Sequence, residues 1–450
     1  MACGLRRRFA FYVVALLLCS RDGWAQQQKS QPDSDARRAL ESAAGDRFVV
    51  GDMAGALDAL NEMDPPRIDQ VKIEGLVRSN RRQINEYLGL KPGELLTAEK
   101  LERTRRRLED LPTSSGGKIR FDPVGGRATV TPIVFERQAY PTDLMDLAAV
   151  GARAIFLQEL RVDISDVLGW GEVWEPAFRW DRNRRRGLLR MAMPAPGAVP
   201  GVLGFEGFWE HQTYDSPSIA SQPFRQTRMR AGAGLSDWVT SWLRLQSGLA
   251  VDHIDSDTHL ELGGGVGTRA WDDRFAVTLY AGHWFPLNGG TPFNRGDVVM
   301  SVRSTAELHR PMVTALAGVA LASPTAPLAV WPGASAGQGR GVQLRAHQLL
   351  RDGIVAGEVF GRTLLFTTVE YVHPIQTPIG PVGLAGFVDA AQARSRLDPS
   401  SASPFHVDVG MGVRMNTSRS GNAVRLDAGY GLRDGRIHVS AGYVIPWGER

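Results

Sequence analysis

From residue 160 onward, apolar and polar residues alternate with a period of two, which is typical of β-strands with two unlike faces. Segments 243–252, 297–303, 407–415 and 424–433 show the pattern most clearly. The apolar face is uninterrupted over about 9 to 11 residues, enough to cross a bilayer when a strand is tilted. The polar face carries glycine and both signs of charge, which suits a wet interior. The pattern favours a transmembrane β-barrel over a soluble all-β protein.

The spacing of these segments predicts how the barrel is organised. About fourteen strands are recognisable between Leu160 and Trp447, and an even total of 14 or 16 is expected. One long loop, residues 323–361, interrupts them. Trp238, Trp271 and Trp447 lie near predicted strand ends, where an aromatic belt at the membrane interface belongs. The predicted fold class is mainly β: a transmembrane antiparallel β-barrel of about 16 strands over residues 139–450, preceded by a small α+β domain.

The residues before the barrel follow a helical period first and a mixed pattern afterwards. Residues 26–65 predict a helical preface that ends at a Pro-Pro pair. Residues 66–138 predict the order strand, helix, helix, strand, strand. Within this module, a helix over residues 81–88 and a second helix opened by Thr97 are indicated by their apolar spacing and capping residues.

The second helix of this module carries an arginine-rich face. Arg103, Arg105, Arg106 and Arg107 interleave with acidic residues on either side. A solvated face with ion pairs between successive turns explains the pattern most simply. A patch for an anionic partner is the alternative.

Residues 1–25 predict a secretory signal peptide. Three arginines precede an apolar run, which ends at Gly23-Trp24-Ala25. Its removal takes away four arginines and one aspartate, so the formal charge of +4 falls by 3 to about +1. Basicity therefore does not indicate a nucleic-acid partner. Both cysteines, Cys3 and Cys19, also lie in this segment, so the exported chain has no thiol for a disulfide or a metal.

Composition and motifs do not indicate an enzyme. The hydrophobic fraction of 43% and the charged fraction of 22% favour a folded chain, and a mean hydropathy of −0.18 argues against a bundle of membrane helices. The string Gly333-Ala334-Ser335-Ala336-Gly337 matches a nucleophile elbow but lacks its strand and helix. The nine histidines show no metal-ligand spacing. No catalytic residue, cofactor or metal is predicted.

Two sets of residues resemble one protein family. The module at 66–138, with Val71, Ile73, Gly75, Leu88 and Gly93, resembles a POTRA domain. Three later strings resemble the ordered motifs of the barrel that follows POTRA domains: Leu344-Arg345-Ala346-His347, Thr368-Val369-Glu370-Tyr371 and Gly386-Phe387-Val388-Asp389. The family is the outer-membrane protein assembly and transport superfamily, which includes BamA-like insertases, two-partner secretion transporters and bacterial surface antigen barrels.

The resemblance implies a site and a function. Arg345 would anchor the long loop inside the barrel to Asp389, with Glu370 as a second partner, and Leu344, Ala346 and His347 would complete the loop motif. Ala346 and His347 depart from the family's glycine and aromatic residue. The implied activity is insertion of β-barrel proteins or movement of polypeptides at the bacterial outer membrane, with its lipids, an unfolded or extended polypeptide and accessory periplasmic proteins as partners. A passive porin-like channel and a surface antigen stay open as alternatives.

Overall fold

The computed structural model describes residues 34–444 except 143–146, 148–149, 152, 156, 198, 216–220, 307–309, 336–341, 357–358, 378–379, 397–403 and 417–422. The signal peptide predicted for residues 1–25 lies outside the described residues, as does Trp447. The chain divides into two compact units, Met1–Asp64 and Pro65–Arg450.

The first unit contains two helices, α1 (Ser34–Val49) and α2 (Met53–Met63). Asp52 caps α2, because its side chain accepts a hydrogen bond from the backbone N–H of Gly55 at 2.9 Å. The apolar side of α2 is buried at Ala56, Leu57 and Ala59.

The second unit begins with a small α+β module. Its elements are β1 (Arg67–Val71), α3 (Arg81–Leu88), α4 (Ala98–Asp110), β2 (Ser114–Val124) and β3 (Arg127–Glu136). The sheet order is β1-β3-β2, with β1 parallel and β2 antiparallel to β3. Asn80 caps the start of α3, and Gly89 ends it in the left-handed conformation at φ 72°.

The residues that carry the POTRA resemblance serve the fold of this module. Ile73 and Leu88 are buried in its core. Gly75 and Gly93 have φ values of 84° and 85°, which side chains rarely allow. Val71 is the last residue of β1 and pairs with β3.

The remainder of the second unit is a barrel. Eighteen strands belong to its sheet, which is arranged as a closed barrel, and β15 and β16 pair separately. The strands are β4 (Glu159–Arg161), β5 (Ile164–Ser165), β6 (Val173–Arg179), β7 (Arg186–Pro194), β8 (Val202–Tyr214), β9 (Phe224–Trp238), β10 (Leu243–Ile254), β11 (Asp257–Ala270), β12 (Phe275–Asn288), β13 (Phe293–Arg303), β14 (Met312–Ala322), β15 (Ala334–Ser335), β16 (Val342–Gln343), β17 (Leu350–Arg351), β18 (Ile354–Val355), β19 (Gly361–Thr377), β20 (Gly380–Arg396), β21 (His406–Asn416), β22 (Ala423–Gly431) and β23 (Ile437–Val444).

The long strands from β6 to β23 pair with their neighbours in antiparallel register, and β14 pairs with β19 across the long loop. The barrel is apolar outside and polar inside. Met411 is 72% exposed, whereas Asp408, three residues earlier on the opposite face, is 0% exposed. The predicted fold class is therefore confirmed, but the expected total of 14 or 16 strands is not: the described residues form eighteen, because the short strands β4, β5, β17 and β18 join the same sheet. Among the described residues, no helix has the length and apolarity to span a membrane.

One predicted member of the aromatic belt is placed differently. Trp238 is only 2% exposed, and its indole N–H donates to Oδ2 of Asp110 in α4 at 2.9 Å. The belt interpretation of Trp238 is wrong because the POTRA-like module covers this strand end. Trp271 is 66% exposed at the neighbouring turn.

Candidate functional site: the lumen loop and its anchor

The segment between β14 and β19 folds into the barrel, and those of its residues that the structure describes are largely buried. It contains a short 3-10 helix (Leu328–Val330) and the strand pairs β15–β16 and β17–β18. We call residues 323–360 the lumen loop. β18 pairs in parallel with the end of β8, so the loop is hydrogen-bonded to the wall. An apolar cluster joins loop and wall: Tyr214, Ile254, Trp284, Phe293, Ala326, Leu328, Val330, Trp331, Leu349, Leu350, Val355 and Phe360.

Arg345 is a fully buried charge of the lumen loop, at 0% exposure. Its Nε and Nη2 donate to Oδ2 and Oδ1 of Asp389 at 2.8 and 3.0 Å, and its backbone N–H donates to Oδ2 at 3.2 Å. The guanidinium carbon lies 3.6 Å from the ring centroid of Phe387. Bidentate pairing and stacking hold the planar guanidinium in one orientation. Removing one partner of such a buried pair typically costs about 3–5 kcal/mol.

Glu370 extends this pair into a network. Its Oε2 accepts from Nη1 of Arg345 at 2.5 Å and from Nη2 of Arg414 at 2.6 Å. Asp427 accepts from Nη1 of Arg414 and from Nη1 of Arg425, each at 2.6 Å. Three arginines therefore meet three carboxylates, counting Asp389, so the charges balance in a place with little access to water.

The rest of the loop motif is held by the wall strands. The backbone N–H of Ala346 donates to Oδ2 of Asp408 at 2.5 Å, and Nδ1 of His347 lies 2.7 Å from Oδ1 of the same carboxylate. Nε2 of His347 lies 3.0 Å from Nδ1 of His406. Leu344 is fully buried. Ala346 does not have a positive φ, so the loop accepts alanine here without backbone strain.

The glycine that matters at this contact is on the wall. A Cβ at Gly429 would lie 2.9 Å from the backbone carbon of Arg345 and 2.9 Å from the nitrogen of Ala346. Glycine in β22 therefore lets the loop backbone lie against the strand.

The structure brings Arg345, Asp389 and Glu370 together, and it adds residues that the sequence analysis missed. These are Asp408, Arg414, Arg425, Asp427 and Gly429. The missed residues occupy polar positions of the alternating pattern, so their parity already indicated that they face inward. Their partners depend on register, such as Asp389 opposite Asp408 and Arg414 opposite Arg425.

The arginine-rich face of α4 is partly buried, whereas the simpler interpretation predicted a solvated face. The ion pairs between turns that it also predicted are present, as between Arg105 and Glu109. Arg106 and Arg107 are each 5% exposed. Arg107 donates from Nε and Nη2 to both carboxylate oxygens of Asp237 at 2.8 and 2.6 Å. Arg106 donates from Nε to the carbonyl of Ser241 at 3.0 Å and pairs with Asp273. The face therefore binds the turns that follow β9 and β11.

The acidic end of α4 makes reciprocal contacts. Asp110 accepts from Trp238 and lies 3.1 Å from Nε of Arg244. Burial opposes ionisation of Asp273, but Arg106 and Arg105 outweigh it and hold the pKa of that carboxyl below its usual value. We call these ion pairs between α4 and the two turns the α4 interface.

Comparisons with known proteins found matches for the POTRA-like module and for the fold of the chain. The POTRA family model, described as a surface antigen variable number repeat, matches residues 66–116. No curated protein sequence matches the chain.

The solved structures that are similar to the chain include two of CdiB and one of BamA. CdiB from Escherichia coli has a TM-score of 0.53 and 11% identity, with 94% of this chain and 92% of that chain covered. CdiB from Acinetobacter baumannii has a TM-score of 0.51 and 12% identity, covering 86% and 75%. BamA from Haemophilus ducreyi lacking POTRA domains 1-3 has a TM-score of 0.49 and 12% identity, covering 84% and 85%. The chain therefore carries a POTRA match at residues 66–116 and has the fold of the two CdiB structures.

Proposed function

We propose that this protein inserts β-barrel proteins into the bacterial outer membrane or moves polypeptides across it, without enzymatic chemistry. The barrel of residues 139–450 would lie in the outer membrane, and residues 26–65 and 66–138 would lie in the periplasm after removal of residues 1–25. The partners would be outer-membrane lipids, an unfolded or extended polypeptide and accessory periplasmic proteins.

The POTRA-like sheet supports binding of an extended polypeptide at one edge. The edge at β1 is covered, because Ile68 donates to the carbonyl of Glu94 at 2.8 Å and accepts from the N–H of Gly93 at 2.7 Å. β2 is the other edge of the sheet. Lys118, Arg120 and other residues of its second half are exposed. A polypeptide could add to β2 through backbone hydrogen bonds, which do not depend on its side chains.

The observation that carries the proposal is the anchored lumen loop. A passive pore is served best by a clear lumen, whereas here a fully buried arginine and an apolar cluster hold a long loop inside the wall. The charge-balanced network around Arg345 holds the loop in one position, and breaking it would give the loop freedom to move. We infer that this anchor governs passage or assembly.

The test is reconstitution of the signal-peptide-free chain into liposomes, with two readouts: the folding rate of an added outer-membrane barrel protein and single-channel conductance. Arg345→Ala and Asp389→Ala remove the anchor. Arg228→Ala is the matched control, because Arg228 also makes a bidentate pair inside the barrel, to Asp252 at 2.9 and 2.6 Å. Both residues of this pair belong to wall strands, so the pair does not anchor the lumen loop.

The proposal expects the wild-type protein to accelerate folding, both anchor variants to lose this acceleration, and Arg228→Ala to keep it. A protein that conducts steadily, accelerates nothing and is unchanged by either anchor variant would be a passive channel, and the proposal would be wrong.

A further inference from the structure

A cavity of about 120 Å³ lies inside the barrel, away from the lumen loop's anchor. Its lining includes one carboxylate, Glu159, and five arginines: Arg153, Arg161, Arg179, Arg186 and Arg190. The volume is well above the roughly 10–15 Å³ that a single water molecule needs. The cavity is therefore large enough for a small solute.

The lining side chains point to the interior of the barrel. On β7, Leu188 in the lining is 9% exposed, whereas its neighbour Leu189 is 49% exposed on the lipid side. Arg186 and Arg190 share the parity of Leu188, so they face the same way. A ligand of this cavity must come from the aqueous lumen and not from the bilayer.

The carboxylates near the cavity satisfy only part of the arginine donors. Glu159 pairs with Arg153 and Arg179, and Glu175, outside the lining, pairs with Arg161 and Arg190. Each guanidinium has five N–H donors, and neither carboxylate accepts a hydrogen bond from the buried Nε of Arg179.

Arg186 is the least neutralised of the five. Its Nε lies 4.0 Å from the nearest oxygen of Glu210, at the limit of an ion pair. Its guanidinium carbon lies 4.9 Å from the ring centroid of Phe208. The buried Nε atoms of Arg179 and Arg186 have no hydrogen-bond partner among the described residues. An unpaired buried cationic donor is costly, and an anion would relieve that cost.

We propose that this cavity binds a free tetrahedral oxyanion of the phosphate class. Arginine forks pair with oxyanions through two parallel hydrogen bonds. Here the forks come from β6, from β7 and from two segments before β6, so they converge from several directions. A tetrahedral dianion presents oxygens in several of these directions. A planar carboxylate presents two oxygens in one plane, and a chloride ion offers no pair of oxygens for a guanidinium fork.

The experiment titrates inorganic phosphate into the purified signal-peptide-free chain in detergent, at an ionic strength held constant with sodium chloride, and follows Tm and the phosphorus NMR line width. Binding to the folded state raises Tm in a saturable way. Sulfate is the second tetrahedral anion, acetate is the planar one, and a phospholipid supplies phosphate from the lipid side.

Three variants test the assignment. Arg186→Gln should weaken phosphate binding about ten-fold or more, since it removes one charge-assisted fork. Arg362→Gln is the matched control: its Nε is likewise buried without a partner among the described residues, and its guanidinium carbon lies 4.9 Å from the ring centroid of Trp331, outside the cavity. Glu159→Gln should tighten binding, because it removes the one carboxylate of the lining. A merely structural role of Glu159 would not produce that gain.

Saturable binding of phosphate and sulfate, lost in Arg186→Gln, kept in Arg362→Gln and tightened in Glu159→Gln, supports the proposal. A Tm response to phosphate no larger than that to chloride overturns it. Equal losses in Arg186→Gln and Arg362→Gln, or a phospholipid response that Arg186→Gln leaves intact, overturn it as well. If Arg186→Gln does not fold, Glu159→Gln decides, and unchanged affinity in that variant rejects the cavity as the site.

Discussion

Replacing Arg107 by alanine should loosen the POTRA-like module from the barrel. Arg107 lies on α4, and its guanidinium makes two hydrogen bonds to Asp237 at the end of β9. The two side chains are 6% and 12% exposed, so solvent screens the pair only weakly. The substitution leaves Asp237 as a buried charge without its arginine.

The size of the effect follows from this burial. Removing one partner of a buried, hydrogen-bonded ion pair costs about 3–5 kcal/mol. We expect the lower end, about 3 kcal/mol, because the pair lies at the barrel rim and water can reach the carboxylate after the substitution. Since each 1.4 kcal/mol is a factor of ten, the opening equilibrium of α4 should shift roughly 100-fold.

Native-state hydrogen exchange of the α4 amides in the full chain measures this opening. Arg107→Ala and Asp237→Ala should each lower the protection of α4, and the double variant should show a coupling of at least about 1.5 kcal/mol. Arg82→Ala is the control on α3, because Arg82 is 89% exposed in its pair with Glu86 and should change protection by less than about 0.5 kcal/mol. The reasoning would be refuted if the effects of the two single substitutions simply added in the double variant. It would also be refuted if Arg107→Ala lowered the protection of α4 no more than Arg82→Ala does, because the α4 interface would then not hold the module on the barrel.

Three further outcomes are expected. Gly429→Ala should displace the lumen loop, because the added methyl meets the loop backbone at 2.9 Å, and the single-channel conductance should rise; Gly386→Ala, whose Cβ would meet nothing within 4 Å, should leave it unchanged. Trp238→Phe removes the indole hydrogen bond to α4 and should lower α4 protection by about 1 kcal/mol, whereas an unchanged value would show that the bond contributes nothing. Burial opposes ionisation of Glu136, but the hydrogen bonds donated by residues 77–79 outweigh it and lower the pKa of this carboxyl. The ionised Glu136 therefore stabilises the folded module at pH values above the pKa of a glutamate in the unfolded chain. This stabilisation is lost as the pH falls through the lowered pKa of the folded state. Glu136→Gln should flatten that dependence in hydrogen exchange between about pH 5 and pH 2.

Local pattern was sufficient for the helices and the long strands of this protein and for the faces of those strands, but not for the short strands β15 to β18 of the lumen loop. Alternation with a period of two separated Met411 from Asp408, because successive strand residues point to opposite sides whatever the strand pairs with. The positions at which α3 begins and ends are also determined locally, because Asn80 and Gly89 cap backbone groups within one turn of the helix. The family motifs identified Arg345 and its two carboxylates, yet not the arginines that share them.

What only the tertiary structure decided is which inward or charged residues meet. Arg107 and Asp237 are 130 residues apart, and the pattern around Arg107 alone also fits a solvated helix face. The same holds for Trp238, whose position at a strand end suggested the membrane interface until α4 covered it. A β-strand specifies its two faces through local geometry, but the partners across a closed barrel depend on register and on the docking of the preceding module. Because of those long-range contacts, the arginine-rich face of α4 is an interface with the barrel, and Arg345 lies at the centre of a charge-balanced network.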